Sequence, residues 1–259
     1  MRNYLSVFFV QIKSTFNKIM AVILLMGMAQ LGLFIHILNS GDIIIPNSFT
    51  NERFLSGLEG ILLDNRAMSF IFASGFLLIT VILAINGCKY TSREDYTLRR
   101  LNITEKKVML TKGIYGIFVF SLLLMAEAFV MYIICNIYIY FAENHPQTFE
   151  GSVSNQTVFL SFYRSSLIHS VLPLEDYLKY ISTFFTIVGM SFSTASIPYF
   201  VKRKKLFLET FILVPAVIIN FTSAWTAGLA ADLALIGVSG FILGILITRI
   251  STEEQTYDG

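Results

Sequence analysis

A chain of 259 residues that is 55% hydrophobic and only 14% charged is too apolar for an ordinary soluble domain, which carries about 25% charged residues. Its net charge of +2 argues against a nucleic-acid partner, since gripping a phosphate backbone calls for a concentrated basic face. Residues 2–18 put Leu5, Phe8, Phe9, Ile12 and Phe16 on one helical face and Asn3, Ser6, Lys13, Ser14 and Asn17 opposite. That pattern predicts an amphipathic helix lying in the inner headgroup layer. Apolar runs then follow at about 19–38, 67–87, 113–141, 180–201, 206–224 and 233–248. Runs near ~20 residues match a ~30 Å hydrocarbon core, so six transmembrane helices in an all-α membrane protein are expected.

The connections have characters of their own. The first outer one, 39–66, offers Phe54, Leu58, Ile61 and Leu62 at helical spacing and predicts a short outer helix. The third helical pattern starts at Thr104, a good N-cap, and continues to Phe141 without proline. At ~1.5 Å per residue that is about 57 Å, so the excess should project into the cytoplasm through 105–112. In the second outer connection, 142–176, the portion 157–172 is apolar enough to pack but not to span. Re-entrant and interfacial placements both stay open for it. Pro198 and Pro215 predict kinks in spans four and five. The short turn 225–232 makes the last two spans an antiparallel hairpin. Gly240 and Gly244 form a small-xxx-small pair that favours close helix contact, within the chain or between chains.

The cations are sorted by connection. Three Lys or Arg precede the first span, seven lie in 88–112, four in 202–205 and one after the last span. Those are 15 of the 19; Arg53, Arg66, Arg164 and Lys179 fall on the other side. Cytoplasmic loops accumulate Lys and Arg, so both termini are expected in the cytoplasm of a multi-pass bacterial cell-membrane protein. The two cysteines, Cys88 and Cys135, fall at opposite ends of their spans, too far apart to bridge.

Few residues suggest chemistry. A phosphate cradle ending in Gly-Lys-Ser/Thr is absent, so ATP would have to be used by another chain. Gly237-Val238-Ser239-Gly240 matches the Gly-x-Ser-Gly of rhomboid-type proteases, but His36, His145 and His169 all precede the serine, and helix packing explains the glycines better. The histidines and cysteines lack metal-ligand spacing. Glu127 lies near the centre of span three, where a carboxylate faces protein or a water-filled path, so packing and substrate-path or coupling roles stand equal. Glu209 follows the basic run 202–205 closely enough for a local ion pair. Gln30, Asn86, Asn136 and Asn220 are candidates for interhelical hydrogen bonds.

The connection between spans two and three is more ordered than its charge requires. Ser92 with Asp95 forms a capping box, and Leu98 and Leu101 share a face of the short helix 93–101 beside Arg99 and Arg100. Asn102 breaks that helix and Thr104 caps the next. This loop resembles the one in type-2 ABC exporter permeases. The matching positions are Glu94 and Asp95, Thr97-Leu98, Leu101, the break 102–104, Lys106-Lys107, the apolar run 108–110 and Lys112; Tyr96 stands where the family has glycine, and the break lacks proline. The resemblance implies one permease domain over 1–259, with an N-terminal interfacial helix and a coupling helix below the membrane. A cytoplasmic ABC ATPase dimer, holding ATP and Mg2+ itself, would contact Arg93, Glu94, Asp95, Leu98, Arg99, Arg100, Leu101, Lys106 and Lys107. A second permease chain, identical or paralogous, would complete the path. No enzyme activity, cofactor or metal is expected on this chain. The substrate is left open among antimicrobial peptides, lipids and drugs. Competing readings are a non-transporting immunity or assembly subunit that binds a membrane-active peptide and, less well supported, an intramembrane enzyme.

Overall fold

In a computed structural model, the described residues are 2–40, 44–46, 53–55, 66–88, 104–144, 177–204, 208–222 and 228–255. They form helices α1 (Arg2–Ser40), α2 (Arg66–Cys88), α3 (Glu105–Asn144), α4 (Tyr177–Lys202), α5 (Leu208–Thr222) and α6 (Gly228–Gln255), with strands β1 (Ile44–Pro46) and β2 (Arg53–Leu55) between the first two. Five helices are long and apolar enough to cross a membrane; α5, at 15 residues, is shorter. Large apolar side chains such as Leu24, Met28, Met125, Phe129, Phe211 and Phe241 remain exposed around the bundle. An apolar exterior on helices of this length defines a multi-pass helical membrane protein.

The helices alternate in direction. Lys18 Nζ donates to Asn86 Oδ1 at 2.9 Å and Gln30 Nε2 approaches the Met68 carbonyl at 3.5 Å, so α1 and α2 are antiparallel. Thr15 and Tyr115 share a 2.6 Å hydrogen bond, which sets α1 parallel to α3. Ser193 and Thr210 bond at 2.7 Å, and Arg249 Nη1 donates to Glu209 Oε1 at 2.5 Å. The first residue of α1 and the last of α6 therefore lie at the same end. α4 is the central helix, packed against α2, α3, α5 and α6. Beside it, aromatic rings tie α2, α3 and α5 together. Phe76 stacks on Phe120 at 4.2 Å, and Phe221 meets Phe72 edge-on at 4.9 Å.

Two expectations are corrected. The amphipathic segment 2–18 is not a separate interfacial helix. It is continuous with the first span in one 39-residue helix, because no proline and no glycine before Gly27 interrupts it. Phe8 packs edge-on to Tyr115 at 5.4 Å, while Leu5 and Phe9 face outward. Phe54 belongs to a strand, not to a short outer helix. β1 and β2 pair antiparallel with Ile45 opposite Phe54, where β-branched isoleucines favour the extended chain; Leu58, Ile61 and Leu62 lie outside the described residues. Glu127 is level with Met68 in the first turn of α2, so 128–144 extends beyond α2, about 25 Å of helix. Tyr138 and Ile134 are buried there, in the same core cluster as Phe34 and Leu38 of α1.

Candidate functional site

The termini-bearing end of the bundle is where α3, α4, α5 and α6 are cross-linked by charge. The Val108 N–H donates to the Thr104 carbonyl at 3.2 Å, starting α3 at the expected cap. Glu105 in its first turn suits the positive helix end and lies 3.5 Å from Arg203. The Arg203 guanidinium sits 3.9 Å above the Tyr199 ring and donates to its hydroxyl. With Glu105 half exposed, this pair orients the two helices more than it stabilises them, since exposed pairs contribute at most about 1 kcal/mol. Lys204, at φ 53°, ends α4 in the left-handed conformation.

Tighter contact follows two to three turns in. A Cβ on Gly113 would stand 2.5 Å from the Phe192 ring, and one on Gly116 would stand 3.1 Å from Ser191 Cβ and 3.3 Å from its Cα. Glycine is needed at these positions because α4 presses on the α3 backbone. Beside them is a cavity of about 20 Å3, lined by Gln11, Lys112, Ser191, Thr194 and Pro198. It is large enough for one water. Pro198 has no N–H for the Thr194 carbonyl, and the buried Ser191 hydroxyl has no partner.

Of the residues expected to meet an ATPase, Lys106 and Lys107 lie in the first turns of α3, Lys106 half-buried and Lys107 exposed. Arg93, Glu94, Asp95, Leu98, Arg99, Arg100 and Leu101 lie outside the described residues, as does 157–172. Among the described residues, Glu209 pairs with neither Arg203 nor Lys204; Lys205 and the Lys202 side chain lie outside what is described. The partner of Glu209 is Arg249 on α6, brought close because α5 and α6 form the antiparallel hairpin, and Arg249 also lies 5.3 Å from the Phe200 ring.

Glu127 is fully buried within the chain's own α1–α2–α3 core, near the middle of α3 and level with the first turn of α2. Gln30 Nε2 donates to its Oε1 at 2.7 Å, while Glu127 Oε2 and Gln30 Oε1 have no partner. Replacing Glu127 by Gln keeps an acceptor for Gln30 and should leave stability within about 0.5 kcal/mol of the parent. Glu127→Leu strips the buried amide of that acceptor and should cost about 1–2 kcal/mol, read as a lower midpoint in detergent unfolding. Equal midpoints for the two variants would show that the hydrogen bond carries no weight.

At the opposite end lies a cluster that the sequence reading did not identify. Lys179, assigned to an outer loop, is buried in the first turn of α4, and Asp232 is buried in the first turns of α6, 3.6 Å away. Lys179 Nζ donates to the Asn220 carbonyl at 2.8 Å. This supplies a donor to one of the carbonyls left open in the last turn of α5. Ser182 Oγ donates to Asp232 Oδ1 at 3.1 Å, and Asn220 Nδ2 donates to Thr183 Oγ1 at 3.2 Å. The available signal was two opposite charges, each at the edge of an apolar run. Asn220, Asn86 and Gln30 do join helices, whereas Asn136 bonds locally to the Tyr132 carbonyl.

Among the described residues, no group of three or more His, Cys, Asp and Glu could hold a metal. Ser239 is buried against Gly189 of α4, while His36 is exposed on α1, which fits packing for the Gly-x-Ser-Gly segment. Cys135 is a buried free thiol. No protein-family model, curated protein or solved structure matches the chain.

Proposed function

We propose that the chain is the membrane-spanning permease subunit of an ATP-driven exporter, with six spans, working with a separate cytoplasmic ATPase dimer and a second permease chain. The observation that carries this reading is α3. It is one unbroken 40-residue helix that begins directly after the cation-rich connection and is pressed against the central helix at Gly113 and Gly116. A displacement applied to the start of α3 is passed to α4 along a single unbroken helix. Rigid helices shifted by a partner that binds one conformation more tightly are a recurrent switching device. α5 serves as the fifth span, its 15 described residues lying between Ser193 and Ser182 of α4.

Orientation follows from the Lys and Arg distribution, which puts both termini and the connection before α3 in the cytoplasm. Cysteines introduced at Ser56 and Ser154 should react with an impermeant maleimide on intact cells, and one at Thr104 should not. Labelling at Thr104 alone would invert the topology.

The decisive experiment is Leu98→Asp combined with Leu101→Asp. An interface places apolar anchors within a charged rim, so two acids there remove the anchors and leave every cation in place. The variant should insert normally, fail to co-purify with the ATPase and lose substrate-stimulated ATP hydrolysis. Normal insertion with a fully coupled ATPase would end the permease reading.

A further inference from the structure

The cavity of about 20 Å3 lies where four helices meet, and its lining includes Gln11 of α1, Leu83 of α2, Gly116 of α3 and Ser191, Thr194 and Pro198 of α4. Two separate features bring polar groups to it. The first is Ser191, which is 1% exposed and whose hydroxyl bonds to nothing in the chain. Its neighbours on α4 are satisfied. Thr194 donates to the Met190 carbonyl, Ser196 donates to the Ser193 carbonyl, and Ser193 pairs with Thr210. Ser191 instead turns its Oγ toward α3, 3.2 Å from where a Cβ on Gly116 would stand.

The second feature is the break in α4. Pro198 has no N–H to give the Thr194 carbonyl, so one rung of the helix ladder is missing. Residues at both ends of that rung line the cavity. In a membrane helix such a carbonyl has no bulk solvent to turn to, and ordered water is one of the few groups that satisfies it. The space fits that role. It exceeds the ~10–15 Å3 that one water needs and leaves no room for a larger ligand. Cavities that stay empty are apolar, and one with a buried hydroxyl on its wall is not.

We propose that this cavity binds one water, held by the Ser191 hydroxyl, the Thr194 carbonyl and the Gln11 side-chain amide. About three partners is what a buried water ordinarily keeps. The water satisfies the lone hydroxyl and replaces the missing rung, so α4 carries its proline without an unpaired carbonyl. It also ties α1 to α4, whereas α1 otherwise packs chiefly on α2 and α3. The proposal needs only the four-helix junction, so it stands or falls separately from the exporter reading.

The test uses the full-length chain purified in detergent. X-ray radiolysis splits water into hydroxyl radicals, and one formed in the cavity oxidises the side chains around it. Pro198 is buried, so its oxidation in the parent, read by mass spectrometry of its peptide, reports water inside the bundle. Ser191→Ala keeps the Cβ that packs on Gly116 but removes a partner of the water, and Pro198 oxidation should fall several-fold. Gln11→Leu should lower it in the same way. The unfolding midpoint of Ser191→Ala supplies a sign. A dry cavity gains from losing an unpaired hydroxyl and the midpoint would rise, whereas a bound water loses a hydrogen bond and the midpoint should fall. An unoxidised Pro198 in the parent, an unchanged yield in either variant, or a midpoint that holds or rises in Ser191→Ala overturns the proposal.

Discussion

Replacing Lys179 by methionine should lower stability by about 3–5 kcal/mol, the cost of removing one partner from a buried ion pair. Two losses combine. The Asp232 carboxylate, only 12% exposed, keeps Ser182 as a donor but loses its cation, and the Asn220 carbonyl at the end of α5 loses the ammonium hydrogen bond. α5 is the shortest helix among the described residues, so it has the least apolar contact to offset a disrupted end. Asp232→Asn should be milder, because Lys179 retains the Asn220 carbonyl. The double variant Lys179→Met with Asp232→Leu should recover part of the loss, since a buried pair exchanged for apolar groups is often nearly neutral. Unfolding in detergent, run as a double-mutant cycle, reads all three. A Lys179→Met protein within about 0.5 kcal/mol of the parent would mean that water reaches the pair and screens it.

Gly116→Leu should separate α3 from α4. The backbone of Ser191 already stands 3.3 Å from where a Cβ would be, so a longer side chain has no rotamer that avoids α4. Overpacking of this kind costs about 1–3 kcal/mol. If the chain is the proposed permease and α3 transmits force from the preceding connection, the variant should still bind the proposed ATPase, because residues 93–101 are untouched, yet lose most substrate-stimulated hydrolysis. Gly116→Ala, facing a 3.1 Å contact with the Ser191 side chain, should show a smaller loss of the same kind. Full coupling in the leucine variant, with the helices still in contact by crosslinking, would show that the signal does not pass through this point.

The membrane class was legible in the chain because it depends on quantities local to each segment. Runs near the bilayer thickness, few charges and cations concentrated in alternate connections need no tertiary information. The start of α3 at Thr104 and its unbroken course were legible for the same reason, since capping and the absence of proline act within a few residues. The first helix shows where local reading fails. Amphipathicity says that residues 2–18 have two faces, but only packing against Tyr115 determines that one face meets α3 instead of water.

Charge partners were less legible still. Glu209 stands near the 202–205 run in sequence, yet Arg249, 40 positions away, is its partner because the α5–α6 hairpin brings the two together. Lys179 and Asp232 read as ordinary loop charges until α4, α5 and α6 converge on them. Glu127 was recognisable as costly and as central to its helix, while its bond to Gln30 depended on the stagger between α1 and α3. The sequence by itself determined which segments enter the bilayer, since transfer from water depends on each segment's own composition. The tertiary structure decided which polar groups meet inside it, because burial without a partner is costly and partners come from helices distant in sequence.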